Sequence, residues 1–237
     1  MSMLFPERLT IGLAPAEVTI ARSRGVLGRK IVEQRSVACD PALGAQPWEG
    51  AVAALAGRDA ALPATVVLSN HFVRYAVVPW SEGLESEAEE EAFVRHHFAR
   101  VHGDRAAGWA LRWTDHGPTR LASAIDRGLL EALRQALPRL RSVQPYLMAS
   151  INRSRRSIPR SGAWLALVEA ERACVALHAG GRWRSVQNAK GAWLDLLDRE
   201  RHRAEGEVPE LALVAGAEIP GEARGWNIRM LPGGLAH

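Results

Sequence analysis

The sequence predicts an α/β fold in which one architecture occurs twice: two lobes, each a mixed sheet carrying a three-stranded meander with flanking helices. Three observations lead there. Strand-length apolar runs separated by Gly, Pro or charged turns come in a triplet over residues 9–38 and again over 163–186. Each triplet is followed by a helical stretch and then by a buried strand. Between the two sets lies INRSRRSIPR at 151–160, Arg-rich and broken by proline, with the composition of a connector. The chain is therefore read as a first lobe over 1–145, a connector over 146–160 and a smaller second lobe over 161–237.

In the first lobe, LTIGLAPAEVTI at 9–20 gives two short apolar strands interrupted by Ala14-Pro15-Ala16. After the Arg24-Gly25 turn, residues 30–38 alternate in part, with Ile31 and Val37 among the apolar positions, and give the third strand. Residues 48–55 give a short helix; ATVVLSNHFVRYAVV at 64–78 gives a buried strand and a second extended segment that ends at Pro79. Ser81 is placed to cap a helix whose first turns hold Glu82, Glu85, Glu87, Glu89, Glu90 and Glu91 and whose end holds Arg95 and Arg100. Those charges complement the helix dipole. Strands follow at 109–113 and 120–125, then a helix over 127–137 with Leu129, Leu130, Leu133 and Leu137 on one face, and 143–145 ends that half. In the second lobe, strands at 163–168, 173–178 and 183–186 repeat the meander, and a helix over 193–203 and a buried strand at 210–214 complete it. Meander, helix and strand, occurring twice, is the plan of a pair of ribonuclease H-like lobes.

Bulk composition narrows the function. At 237 residues and 47% hydrophobic content the chain can bury a core of its own. Its 30 basic and 26 acidic residues leave a net charge of only +4, and all the basic residues but Lys30 and Lys190 are Arg, a bias that fits base composition better than a nucleic-acid surface. Cys39 and Cys174 stand alone, without CxxC or a neighbouring His, so neither a disulfide framework nor a zinc site is expected. No apolar run approaches the roughly 20 residues that span a bilayer. MSMLFPERLT lacks the basic start and apolar core of a signal peptide, and a cytoplasmic protein is expected.

Two stretches carry a family resemblance: LRSVQPYL at 140–147, between the lobes, and LALVAGAEIPG at 211–221. Together with the two-lobed order they resemble the actin-like cytoplasmic proteins of type IV pilus and type II secretion machines, the PilM family and the cytoplasmic region of GspL. The second stretch resembles the actin-family adenosine loop, a buried strand running into small residues where backbone approaches a base. Ala215-Gly216-Ala217 stands where that family tends to have consecutive glycines.

The resemblance implies a phosphate hairpin in each lobe. In the family an Asp ends the first strand to position magnesium or water, and Gly and small hydroxyl residues then cradle phosphate with their backbone N–H groups. Here Leu167 or Val168 occupies the Asp position of the second hairpin, and its turn reads Glu169-Ala170-Glu171, whose two carboxylates repel a triphosphate. In the first, Gly12-Leu13-Ala14-Pro15 stands in the equivalent place; Pro15 has no N–H, and no Asp precedes Asp40. The expectation is a fold that keeps its hairpins and has lost their phosphate chemistry, with no cofactor, no metal and no catalytic residue, unless magnesium is held from a position such as Glu169.

Other residue groups have plainer readings. His96, His97 and His102 are spaced by one, five and six, not the i, i+4 of a helical metal pair. Ser69-Asn70-His71 with Asp115 or Asp126 has the residue types of a nucleophile set but no GxSxG elbow, and a turn between strands explains it more simply. Arg153, Arg155, Arg156 and Arg160 form the densest basic cluster: a solvated connector, or a rim that docks an acidic partner or anionic lipid surface. The eight tryptophans, Trp48, Trp80, Trp109, Trp113, Trp164, Trp183, Trp193 and Trp226, read mostly as core or interface anchors.

With those chemistries set aside, the resemblance implies a non-enzymatic scaffold at the inner face of the bacterial inner membrane. The resemblance implies as its partner a single-span assembly protein, PilN-like or GspM-like, whose cytoplasmic tail docks on concave surface and partly on the Arg cluster. A secretion or pilus ATPase is a further partner candidate, and membrane association is peripheral, through partners. The alternative is a divergent actin-fold nucleotide hydrolase or small-molecule kinase. Nucleic-acid chemistry on a ribonuclease H-like fold is weaker, because it needs clustered carboxylates and the first lobe offers only Glu17 and Glu33 near its strands.

Overall fold

The computed structural model describes residues 7–25, 30–55, 61–81, 83–115, 117–219 and 221–235. Of the stretches read above, the N-terminal MSMLFP, Glu82 and Pro220 lie outside them. The chain opens with strands β1 (Glu7–Leu13), β2 (Glu17–Arg24) and β3 (Lys30–Ala38), then helix α1 (Glu49–Ala53) and β4 (Ala64–Leu68). Next come β5 (Val73–Pro79), α2 (Glu87–His102), β6 (Trp109–Trp113), β7 (Thr119–Asp126), α3 (Arg127–Ala136), β8 (Leu140–Pro145) and α4 (Tyr146–Ser154). The remainder is β9 (Ala163–Glu169), β10 (Arg172–Ala179), β11 (Arg182–Lys190), α5 (Trp193–Arg203), β12 (Leu211–Ala215) and β13 (Asn227–Met230).

Two five-stranded sheets have the same plan. Their orders are β3-β2-β1-β4-β8 and β11-β10-β9-β12-β13. In each, a meander is antiparallel and the next two strands add in parallel: β4 on β1 and β8 on β4 in one, β12 on β9 and β13 on β12 in the other. The expected repetition of architecture is thus present strand for strand. The central strands have to be apolar because both their faces are covered: Leu9, Ile11 and Leu13 on β1 and Trp164, Leu165, Ala166 and Leu167 on β9 are all buried. A third sheet, of order β5-β7-β6, completes the strands.

The chain forms two compact units. One comprises Met1–Phe72, Arg127–Ala149 and Gly234–His237 and holds the first five-stranded sheet with α1 and α3. The other comprises Val73–Asp126 and Ser150–Gly233. In this second unit α2 lays Val94 and Phe98 on the three-stranded sheet, against Val78, Leu111, Ala122 and Ala124. β5 runs beside β11, where the Asn188 side-chain amide donates to Val73 O at 3.1 Å, and the Thr119 hydroxyl donates to Trp183 O at 2.6 Å. The five-stranded sheet of the same unit packs Trp164, Val175 and Leu177 against Leu194, Leu197 and Trp226, the two indoles edge to face at 6.0 Å. Trp164, Trp183 and Trp226 are buried and the other five tryptophans half-buried.

Helix α2 begins later than its acidic run indicates. Ser81 does not cap it: its hydroxyl accepts from the Gly83 N–H at 3.3 Å, closing a local turn. The cap is Ser86, extended at φ −136°, whose side chain accepts from Glu89 N–H at 3.3 Å while the Glu89 carboxylate reaches back to Glu85 N–H at 2.8 Å. Serine followed three residues on by glutamate is the capping-box pattern: the serine satisfies one N–H that a helix start would otherwise leave unpaired, and the glutamate ties down the residue before the cap. Ser86→Ala should cost about 1 kcal/mol in urea unfolding, whereas Ser81→Ala should leave the midpoint within error.

Three elements have no counterpart in the sequence reading, the first being a 3-10 helix at Gly103–Gly108, between α2 and β6. Helix α4 occupies the start of the stretch read as connector, held by the buried Tyr146 and Leu147. β13 is a four-residue edge strand whose register with β12 runs from Leu211 opposite Asn227 to Val214 opposite Met230.

Candidate functional site

The β1–β2 hairpin turns through Ala14-Pro15-Ala16. The Ala14 N–H is consumed by Glu17 O at 3.0 Å, Pro15 has none, and the Ala16 carbonyl accepts from Cys39 N–H at 2.8 Å. Two of the three loop residues therefore have no N–H to offer an anion. The position before the loop, Leu13, is fully buried, and its carbonyl accepts from Ser69 N–H at 2.9 Å. An aspartate there would lose its water to an apolar core.

The β9–β10 hairpin is tighter. Glu169 pairs with Arg172, so the turn is only Ala170-Glu171, and Glu171 takes φ 59°, a conformation better suited to glycine. Leu167, a residue in the expected Asp position, is wholly buried between Cys174 on β10 and Ala215 on β12. Cys174 beside it is also buried, which together with Glu169 pushes its thiol well above the usual range and keeps it neutral. The turn thus presents the Glu171 carboxylate and a strained backbone at the place where the resemblance expects phosphate donors.

The stretch that resembles an adenosine loop has a role within the sheet. Gly216, just past β12, has φ +83°, and a Cβ there would lie 2.1 Å from Val168 O. Its lack of a side chain lets the chain leaving β12 lie close beside Val168 at the end of β9. Close approach of backbone to backbone explains this glycine without a nucleotide.

The remaining groups are placed as follows. Ser69 and Asn70 are fully buried. Ser69 Oγ accepts the His71 N–H at 3.1 Å and lies 2.9 Å from His71 Nδ1, while Phe72 N–H donates to Ser69 O at 3.0 Å, the bonding of a turn. His96 is exposed; His97 titrates below its ordinary range because of burial, with Arg100 and His96 adding to it. His102 stacks on Phe98 and meets Trp109 edge to face at 5.0 Å, and burial lowers it also. Among the described residues no group of three or more His, Cys, Asp or Glu could hold a metal ion.

All four arginines of the basic cluster are exposed, Arg153 in the last turn of α4 and the others beyond it. Ser157 N–H donates to Ser154 O at 2.8 Å and Gly162 N–H to Pro159 O at 3.0 Å, so the segment leading into β9 is a pair of bonded turns. Pro159 and Ser161, on either side of Arg160, both line a groove of about 770 Å³ in the second unit, whose other walls include Arg182, Arg184, Val208 and Pro209. It opens at the starts of β9, β12 and β13, the end of the sheet opposite the Ala170-Glu171 turn. One wall is fixed by Arg184, which donates to the carbonyls of Glu205 and of Glu207, the latter at 2.8 Å. The sequence signal for this groove is slight: prolines and arginines from four separate segments, brought together only by the fold.

No protein-family model and no curated protein matches the chain. Among solved structures it is similar to the cytoplasmic domain of EpsL, an inner membrane component of the type II secretion system of Vibrio cholerae, at 17% identity and a TM-score of 0.64, over 96% of this chain and 90% of that one. A similar match is to the PilM-PilN type IV pilus biogenesis complex, at 15% identity and a TM-score of 0.66, over 94% and 88% of the respective chains. A Bacteroides thetaiotaomicron protein of unknown function with an actin-like ATPase fold matches at 13% identity and a TM-score of 0.59, over 90% and 82%. The chain has the actin-like fold. Within that fold β1–β2 and β9–β10 are the hairpins to which the resemblance assigns phosphate contacts, and their turns carry Pro15 and Glu171.

Proposed function

We propose that the protein is a non-enzymatic scaffold of a type IV pilus or type II secretion-like assembly at the inner face of the bacterial inner membrane, holding the cytoplasmic tail of a PilN-like or GspM-like single-span partner. The observation that carries the reading is the pair of hairpin turns: Pro15 without an N–H in one, Glu171 at φ 59° in the other, on a fold shared with an EpsL cytoplasmic domain and with a PilM-PilN complex. Losing the phosphate donors removes the reason to call the fold an ATPase and leaves its surfaces as the working parts. For a tail with acidic residues, the exposed Arg153, Arg155, Arg156 and Arg160 supply charge, and the groove lined by Pro159 and Ser161 on either side of Arg160 supplies a concave wall that includes Val208 and Pro209. Membrane attachment is then the partner's task. Among the described residues no helix is long and apolar enough to cross a membrane.

Co-purification with single-span membrane proteins encoded beside this chain tests the scaffold; capture of none of them sinks it. Nucleotide is tested separately. Titrating ATP with magnesium should give no saturable heat and no rise in melting temperature, since neither turn offers donors that compensate for stripping water from a triphosphate and its metal. A micromolar dissociation constant would restore the nucleotide hydrolase or kinase reading.

A further inference from the structure

Among the described residues, strand β3 has β2 on one side and no strand of its sheet on the other. An edge of this kind is a template for another strand unless charge, a bulge or a covering element blocks it. β3 carries charge at Lys30, Glu33 and Arg35, and its register shifts so that Arg22 faces Glu33 and Ser23 faces Ile31, with Val32 the extra residue. Its side chains stand open: Ile31 is 41% and Val32 46% exposed, and Glu33, Gln34 and Ser36 are exposed or half-exposed as well.

The order of the charges selects a partner. On one face of the sheet Glu7 of β1, Arg22 of β2 and Glu33 of β3 form a row that alternates in sign, with Arg22 at 3.8 Å from Glu7 and 2.8 Å from Glu33. The row ends at the edge on a carboxylate. Two copies of β3 laid antiparallel about a two-fold axis through Gln34 put Glu33 opposite the second copy's Arg35, and Arg35 opposite its Glu33. Each row is thereby extended by a cation, and Val32 comes to lie opposite Ser36. A two-fold axis through Arg35 would set Arg35 against itself, and one through Glu33 would do the same with carboxylates. The charges that discourage other strands and other registers favour this one.

We propose that β3 is a self-association edge, through which two copies of this chain join antiparallel with Gln34 opposite Gln34 and merge their five-stranded sheets. The proposal does not depend on the scaffold reading. Sedimentation equilibrium from micromolar to several hundred micromolar protein should find a reversible dimer. Glu33→Arg or Arg35→Glu alone makes two like-charge pairs at the two-fold, so each should weaken the dimer about tenfold or more. The double variant, which restores both opposite-charge pairs, should return to within about threefold of the parent. Circular dichroism and melting establish that each variant is folded. As an independent measurement, Gln34→Cys in a Cys39→Ser background should cross-link copy to copy on mild oxidation, because directly opposed residues of an antiparallel pair lie within disulfide reach. A monomer at every concentration, a dimer indifferent to both single reversals, failure of the double variant to recover, or no cross-link would each overturn the proposal.

Discussion

Valine at position 216 should destabilise the second unit by about 3 kcal/mol or more, seen as a large fall in the urea midpoint followed by tryptophan fluorescence. Two costs combine. Gly216 has φ +83°, where a β-branched residue is strained, and any Cβ would sit 2.1 Å from Val168 O and 3.2 Å from the carbonyl carbon behind it. Neither neighbour can withdraw cheaply: Val168 pairs with Ala173 on β10, and Leu167 pairs with Ala215, one residue before the glycine. Gly103 is the control. It has φ +63° with ψ −148°, a combination open essentially only to glycine, but a Cβ added there would meet nothing within 4 Å, so Gly103→Ala should cost the backbone strain alone, about 1–3 kcal/mol. A Gly216→Val protein as stable as the Gly103→Ala one would mean that β9 and β12 are not locked together here. The outcome also bears on function, because a glycine needed by the sheet is no evidence of a nucleotide above it.

Local pattern makes much of the fold legible. β3, β6 and α5 occupy the spans their periodicity indicates, since strand alternation and the apolar face of a helix are written in neighbouring residues. The repeated strand, turn, strand signature is enough for the two sheets. α4 is hidden because YLMASINRS passes from apolar residues into the arginine run, and the run has the composition of a connector although its first residues are helical. β13 is hidden because NIRM is short and gains its identity only by lying parallel to β12, a non-local pairing with no local mark. The start of α2 is ambiguous because two serines compete for the cap. Ser86, with glutamate three residues on, has the stronger pattern, but the acidic residues before it favour Ser81 on composition alone. The residues of the hairpin turns, Pro15 and Glu169-Ala170-Glu171, are read directly from the sequence. The strain at Glu171 is not, since a positive φ depends on how short the turn is.

Reversal of Arg153, Arg155 and Arg156 to Glu should weaken capture of the proposed membrane partner's tail by roughly tenfold or more at low salt, and the difference should shrink as salt rises. The three side chains are exposed, so they act through water at the rim of any interface, where charge raises the association rate more than it lowers the dissociation rate. Screening removes such attraction over about 10 Å at a tenth molar salt. Wild-type binding should therefore fall with salt, and the variant's should be flat or rise as its new repulsion is screened. The fold should tolerate the change: Arg155 and Arg156 lie past the last turn of α4, and the bond from Ser157 N–H to Ser154 O at 2.8 Å that shapes the segment uses backbone alone. Arg160 separates charge from groove. It lies between two groove-lining residues, so Arg160→Ala should raise the dissociation rate, while the triple reversal mainly slows association. Equal affinity and equal salt response in the triple variant and the wild type would remove the cluster from the interface and leave the groove to be tested by itself.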